Sequence, residues 1–345
     1  MLKIGLFKPK CLSIDLGTVN TLIYLNGELV LNEPSVVAIR DEPGSLEKIV
    51  VAVGKEAKNM LGRTPGAIQA IRPMKDGVIA DFSITKKMLQ YFIRQVMKQG
   101  FFSPSPSILI CVPCGSTQVE RRAIKESAVE AGAKEVFLID EPIAAALGAG
   151  MDISVSAGNM VVDIGGGTTE IGIMSLNGIV YADSVRVAGD AFNESIAKYV
   201  RRKHQVIIGE VTAEKIKEEV GSAYKSSAIK KAKYVGRGVT TGLPTEFIMT
   251  NGQALDALKE PLTAIIGAIR VALEQTPPEL SSDIAESGVM LTGGGALLEG
   301  LSELIKTKTN LDVHIADNPL ICVAHGANMA LEMINRQQMA FVSAE

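Results

Sequence analysis

The 345-residue chain has no tryptophan, only 4% aromatic residues, four cysteines and three histidines. His204, His314 and His325 are scattered and share no metal-ligand spacing, which argues against a zinc site. Four cysteines in this length do not make a disulfide framework and suit a reducing compartment. Cys111 and Cys114 have the spacing of a thioredoxin-type pair, but they close an apolar strand inside a larger α/β pattern and are read as structural. The sequence Gly-x-x-x-x-Gly-Lys-Ser/Thr is absent, which excludes a P-loop protein. A formal net charge of −3 leaves no basic footprint for nucleic acid, and the basic stretches 198–204 and 225–237 read as solvated faces. No run approaches the ~18 apolar residues of a spanning helix. The first ten residues interleave Leu2, Ile4, Leu6 and Phe7 with three lysines and lack the apolar core of a signal peptide, so a cytoplasmic location is expected. Such a basic and apolar tip either presses into an anionic membrane surface or frays.

What the chain does have is glycine in strand-linked clusters. Residues 161–172 run from an apolar strand to Asp163, through Gly165, Gly166 and Gly167, onto Thr168 and Thr169 and into a second strand. Bare glycine backbone approaches a ligand closely, its N–H groups suit phosphate oxygens, and a carboxylate beside them suits a cation. Alone, the stretch also fits an ordinary glycine-rich turn. The chain contains the pattern twice: residues 13–21 repeat an apolar pair, Asp15, an apolar residue, Gly17, two residues, a polar residue and Thr21. Each copy continues through a strand to Asn-Gly, at Asn26-Gly27 and Asn177-Gly178, a strong hairpin signal. Asp15 and Asp163 lie about one domain length apart, so two similar α/β halves are expected, each presenting a hairpin to one nucleotide held between them. A composition 47% hydrophobic with few aromatics agrees with buried parallel strands.

Between the repeats, residues 34–69 read as a small insertion of short strands and one helix. A helix is expected at about 84–98, with Met88, Phe92 and Val96 on one face. Phe101 and Phe102 follow in a Pro/Ser loop, where one at least is expected to be exposed unless a neighbouring loop covers it. A strand over 136–139 ends on Asp140-Glu141 with Pro142 opening a helix. Carboxylates at that strand end either position a water against a terminal phosphate or complement the helix dipole. After the second hairpin come a helix from Gly189 with Phe192, Ile196, Tyr199 and Val200 on one side, and a helix from about Thr212 on which Glu214 and Lys217 share a face. A long helix over 255–275 follows. Residues 288–298 then read as strand, Gly293-Gly294-Gly295 and helix, a geometry that accepts a flat or anionic ligand. A strand at 313–315 and a helix at 320–335 complete the layer.

Two Asp-Gly hairpins, a strand-end glutamate and a late strand-Gly-Gly-Gly-helix, in that order, resemble the superfamily of actin, DnaK-type chaperones and sugar kinases. Segments 13–21, 32–38, 71–82, 118–123 and 291–298 look like the MreB family of bacterial actin homologues, with the resemblance running from about Leu12 to Asn335. It is weakest over 225–239 and the first ten residues, and Asp140 stands where the family carries glutamate. The resemblance implies an α/β, actin-like fold: two similar domains, each a mixed β-sheet flanked by helices, with a nucleotide cleft between them and four subdomains. These would be IA (1–33, 70–145 and 320–345), IB (34–69), IIA (146–184 and 250–319) and IIB (185–249). It implies ATP or GTP with Mg2+, placed by Asp15 and Asp163 partly through water. Phosphates would be held by Gly17, Thr18, Val19, Asn20, Gly165, Gly166, Gly167 and Thr168, and the nucleoside by Glu214, Lys217, Gly293, Gly294, Gly295 and Ala296. Glu141 and Thr168 would orient the attacking water in a slow hydrolysis coupled to polymerisation. Self-assembly into double filaments on the inner face of the cytoplasmic membrane, a role in rod shape through wall-elongation proteins, and the membrane protein RodZ as partner are implied as well. Leu2, Ile4, Leu6, Phe7, Phe101 and Phe102 are the candidate membrane contacts. The alternative is a small-molecule kinase, which would need a catalytic base beside a sugar or acid pocket. A chaperone would need a peptide-binding domain beyond the ATPase, whereas this chain ends one helix after the last expected strand.

Overall fold

A computed structural model describes residues 11–42, 48–97 and 105–335. The chain divides into one unit of Met1–Gly150 and Ile321–Glu345 and another of Met151–Leu320. In the first, β1 (Cys11–Leu16), β2 (Asn20–Leu25) and β3 (Glu28–Pro34) form an antiparallel meander. A three-stranded sheet follows, made of β4 (Val37–Asp41), β5 (Lys48–Val53) and β6 (Ile68–Ile71), with α1 (Lys55–Met60) beside it. A two-stranded hairpin, β7 (Met74–Lys75) and β8 (Val78–Ile79), leads to α2 (Phe82–Met97). Then β9 (Ser107–Val112), α3 (Gln118–Glu130), β10 (Glu135–Asp140) and α4 (Glu141–Gly148) add two strands parallel to β1, giving the order β10-β9-β1-β2-β3. The middle strands are apolar on both faces because both faces are covered. Leu12, Ile14, Ile108 and Ile110 meet α2 and α3 on one side, where Met88 and Phe92 lie in the core as their spacing predicts.

The second unit repeats this plan. Its strands β11 (Asn159–Ile164), β12 (Thr169–Ser175) and β13 (Gly178–Val185) form the meander. They are followed by α5 (Gly189–His204), β14 (Val206–Ile207), α6 (Glu210–Val220), β15 (Lys231–Gly238), β16 (Pro244–Thr250), α7 (Asn251–Glu274) and α8 (Pro278–Ser287). Then β17 (Val289–Thr292), α9 (Leu301–Thr309) and β18 (Val313–Ile315) complete the order β13-β12-β11-β17-β18, with β17 and β18 parallel to β11. The chain re-enters the first unit as α10 (Cys322–Asn335), which packs on α4, β1 and β9. Both main sheets therefore share one strand order and one set of pairing senses. Each meander also carries a bulge two residue pairs from its second turn, between Ile23 and Tyr24 and between Ile173 and Met174.

The hairpin turns correct one expectation. Asn26 and Gly27 are the two central residues of the β2–β3 turn, both at positive φ (51° and 93°), as a two-residue hairpin requires. In the second unit, Ser175 pairs with Gly178, so the centre is Leu176-Asn177 and Gly178 already belongs to β13. The Leu176 and Asn177 N–H groups donate to the carbonyls of Val155 and Ile153, and these bonds hold a leucine at φ 51°. The expected helix after the triple glycine is also displaced: residues Gly294–Leu297 make one 3-10 turn, and α9 begins at Leu301. The sequence does not announce α8, which buries only Ile284, too few positions to set a period, and α9 buries only Leu301 and Ile305, which leaves its start unmarked. Among the described residues, no helix is long and apolar enough to cross a membrane.

Candidate functional site

In the second unit the site begins with a row of four polar side chains across the sheet. Thr292, Asp163, Glu170 and Ser184 are register partners on β17, β11, β12 and β13. The Thr292 hydroxyl donates to Asp163 Oδ1 at 2.7 Å, and the Ser184 hydroxyl donates to Glu170 Oε1. Asp163 is 5% exposed and Glu170 is fully buried, so two carboxylates face each other in the sheet interior. Burial pushes the Asp163 carboxyl up to about 6; the Thr292 hydrogen bond opposes the shift and the Glu170 charge adds to it. A buried carboxylate beside a second acid, relieved by one hydroxyl, is suited to a hard cation. Among the described residues, no cluster of three or more His, Cys, Asp or Glu could hold a metal by itself. That donor set fits magnesium, which binds through one or two carboxylates and leaves its other positions to water and phosphate.

Beyond Asp163, the Gly165 N–H donates to the Thr168 carbonyl and closes the glycine turn. The first N–H groups of α5 hold that turn from behind, with Gly189 donating to the Gly165 carbonyl and Asp190 to the Gly166 carbonyl. Those two glycine carbonyls are thereby engaged. The glycines of 293–295 have a packing reason: a Cβ on Gly293 would stand 2.4 Å from the Ile164 carbonyl oxygen, and one on Gly295 2.2 Å from Ile164 Cγ2. The loop therefore lies directly on the residue that links Asp163 to the turn. Ala223 N–H donates to the Glu299 carbonyl, and a Cβ on Gly221 would stand 3.0 Å from Leu298. These contacts join the chain just after α6 to the end of the 293–299 loop, while Glu214 and Lys217 lie earlier, on α6 itself.

The first unit assembles its own half. Asp15, half-buried, has Cys111 and Leu22 as register partners where Asp163 has Thr292 and Glu170. Gly17 is obligatory, since a Cβ there would meet the Asn20 carbonyl oxygen at 2.6 Å. Ser35 braces the turn: its hydroxyl donates to the Gly17 carbonyl at 2.6 Å and hydrogen-bonds Thr21, and its N–H donates to the Val19 carbonyl. Thr18 Oγ1 accepts from the Gly77 N–H at 3.1 Å, so the small Asp76-Gly77 hairpin also props this turn. Glu141 is the first residue of α4, buried, at the same carboxyl edge of the sheet. It leaves β10 two strands from Asp15, which at the usual strand spacing is ~10 Å. Leu2, Ile4, Leu6, Phe7, Phe101 and Phe102 lie outside the described residues.

A profile of the MreB/Mbl protein family matches residues 9–339. The chain belongs to the MreB/Mbl family. It is 59% identical over 325 residues to the cell shape-determining protein MreB of Escherichia coli K12, covering 94% of each chain. The structure of MreB5 of Spiroplasma citri bound to AMPPNP aligns with a TM-score of 0.88 at 34% identity, covering 96% of this chain and 98% of that one. A MamK double helical filament structure aligns with a TM-score of 0.79 at 20% identity, covering 94% and 99%, a likeness of fold alone. The actin-like fold and the class of cell shape-determining bacterial actin homologues follow from family membership. The small-molecule kinase alternative gains no support from these likenesses.

Sequence reasoning missed the residues that surround its own motif. Glu170 stood inside the quoted glycine stretch, and an acid one strand across from Asp163 was a readable signal. Ser184, Thr292, Ser35 and Gly77 had none, because the strand register that delivers them is set by distant pairings.

Proposed function

We propose that this MreB/Mbl family member is a slow ATPase that polymerises with nucleotide bound, GTP being the second candidate, and that its filaments direct wall elongation in rod-shaped cells. The observation that carries the reading is Asp163, a buried carboxylate next to a glycine turn whose carbonyls are engaged by α5. With Gly165 closing the turn, the backbone N–H groups of Gly166 and Gly167 and the Thr168 hydroxyl grip phosphate oxygens, and Gly17, Thr18, Val19 and Asn20 do the same in the first unit. Asp15 and Asp163 are the residues that would hold magnesium, partly through water, and bound magnesium offsets phosphate charge. Glu141 and Thr168 orient the attacking water, since phosphoryl transfer asks chiefly for positioning and charge neutralisation. Glu214, Lys217 and residues 293–296 enclose the nucleoside.

The assembly half of the reading rests on family membership and on the fold shared with a filament-forming protein. It includes double filaments, the four subdomains, and RodZ with wall-elongation proteins as partners. Leu2, Ile4, Leu6, Phe7, Phe101 and Phe102 would meet the inner face of the cytoplasmic membrane. Each contributes weakly, so binding depends on many subunits acting together. The test compares the wild type with Glu141→Ala in negative-stain microscopy, pelleting and phosphate release, with ATP and magnesium on anionic liposomes. The reading expects lipid-bound filament pairs from both proteins and phosphate release lost only in the variant. Dispersed monomers at every concentration would overturn the filament claim.

A further inference from the structure

We propose that Arg121 is a positioning residue for hydrolysis, acting through Asp140 on Glu141; the inference rests on the water-orienting role given to Glu141 above. Asp140 ends β10 and occupies the N-cap position of α4, where an aspartate ordinarily accepts from the first helical N–H groups. Its carboxylate makes no capping hydrogen bond. It is turned instead to Arg121, whose Nη2 donates to Asp140 Oδ1 in a partly buried ion pair, 19% and 27% exposed. The same Nη2 reaches the carbonyl of Pro113 at 3.5 Å. Pro113 follows β9 directly, and Asp140 is the register partner of Val112. One guanidinium therefore spans the carboxyl ends of two adjacent parallel strands, at the edge from which Glu141 emerges.

The support behind Arg121 is stiff. It lies in the first turn of α3, which opens with a reciprocal capping box: the Glu120 N–H donates to Thr117 Oγ1 and the Thr117 N–H donates to Glu120 Oε2. The Arg121 N–H also bonds the Thr117 carbonyl, and Ile124 and Ala128 anchor the helix in the core. The carboxylate that would cap α4 is thus used to fix the direction in which the chain leaves β10. Glu141 is the next residue. An arginine fork suits this bridging task, whereas a lysine offers one point charge.

The experiment measures phosphate release per pelleted subunit at saturating ATP and magnesium, with fluorescent ATP affinity on the same preparations, for Arg121→Ala, Arg121→Lys, Asp140→Asn, Asp140→Glu and Glu141→Ala. Exposed Arg122→Ala serves as the control for loss of a neighbouring arginine. Misplacement of a catalytic group by a fraction of an ångström predicts a fall in turnover of about 10-fold for Arg121→Ala and Asp140→Asn, with affinity held within about twofold. The Arg121→Ala/Asp140→Asn double variant is expected to lose no more than either single variant, and Asp140→Glu to recover most of the rate. Loss of affinity in step with turnover, or additive losses, would overturn the positioning role. Glu141→Ala separates the two claims: an unchanged rate there refutes the Glu141 reading, whereas a lost rate with Arg121→Ala unchanged refutes only the present inference.

Discussion

The meander that carries Asp15 and the one that carries Asp163 share strand order, a left-handed two-residue turn between their second and third strands and a bulge at the same distance from it, yet their carboxylates stand in different surroundings. Asp163 is sealed in the sheet with Glu170 opposite and a hydroxyl beside it, whereas Asp15 is half-buried between Cys111 and Leu22. The braces differ too: the N-terminus of α5 holds the Gly165 turn, while Ser35 and the Gly77 N–H hold the Gly17 turn. Shared topology fixes where a carboxylate is delivered, and its register neighbours decide what that carboxylate costs. The second half carries an electrostatic cost at Asp163, which the proposed cation would relieve. The first half carries a steric requirement within the Asp15 turn itself, at Gly17.

The largest expected effect breaks this contrast directly. A carboxyl raised from 3.8 to about 6 is protonated more readily folded than unfolded, so the nucleotide-free protein loses stability as pH rises from about 4 to about 6 and stays lower above that. Asp163→Asn should therefore raise nucleotide-free stability at pH 7 by up to ~3 kcal/mol and flatten that pH slope in denaturant titrations. The same titration of Asp15→Asn is the comparison, and an equal gain there would erase the distinction.

Gly17→Ala forces its new methyl against a backbone carbonyl and should cost ~2–3 kcal/mol. In Gly165→Ala the nearest atom is the Thr168 carbonyl oxygen at 3.3 Å, and the expected cost is below ~1 kcal/mol. Thermal melts of the two side by side decide whether the first turn is the tighter one. Glu170→Gln keeps a partner for Ser184 and removes the like charge, so the Asp163 carboxyl should fall from about 6 when followed by carbon-detected NMR titration. Ser35→Ala removes two hydroxyl hydrogen bonds and should cost ~1 kcal/mol, with no change in the pH slope.

Much of this architecture was legible because it depends on local chemistry. The repeated Asp-Gly pattern announced the two halves, Phe192, Ile196, Tyr199 and Val200 all lie on the buried face of α5, and Pro142 opens α4. What was not legible depends on register. No local pattern tells that Ser184 lands beside Glu170, that α5 donates into the glycine turn, or that Leu176 takes the left-handed position next to Asn177. The triple glycine suits a ligand cradle, while Gly293 and Gly295 are also required by contact with Ile164, a reason that becomes visible only in the folded chain. Helices such as α8, which bury one side chain, leave no period to read.

The most direct test of the account is a titration of fluorescent ATP with magnesium into three proteins: the wild type, Asp15→Asn and Asp163→Asn, each verified as folded by its melt. The account predicts that both variants bind more weakly, that the loss at Asp163 is the larger, and that it shrinks when magnesium is withheld from all three. Wild-type affinity in both variants, with or without magnesium, would contradict the placement of nucleotide and metal at these hairpins.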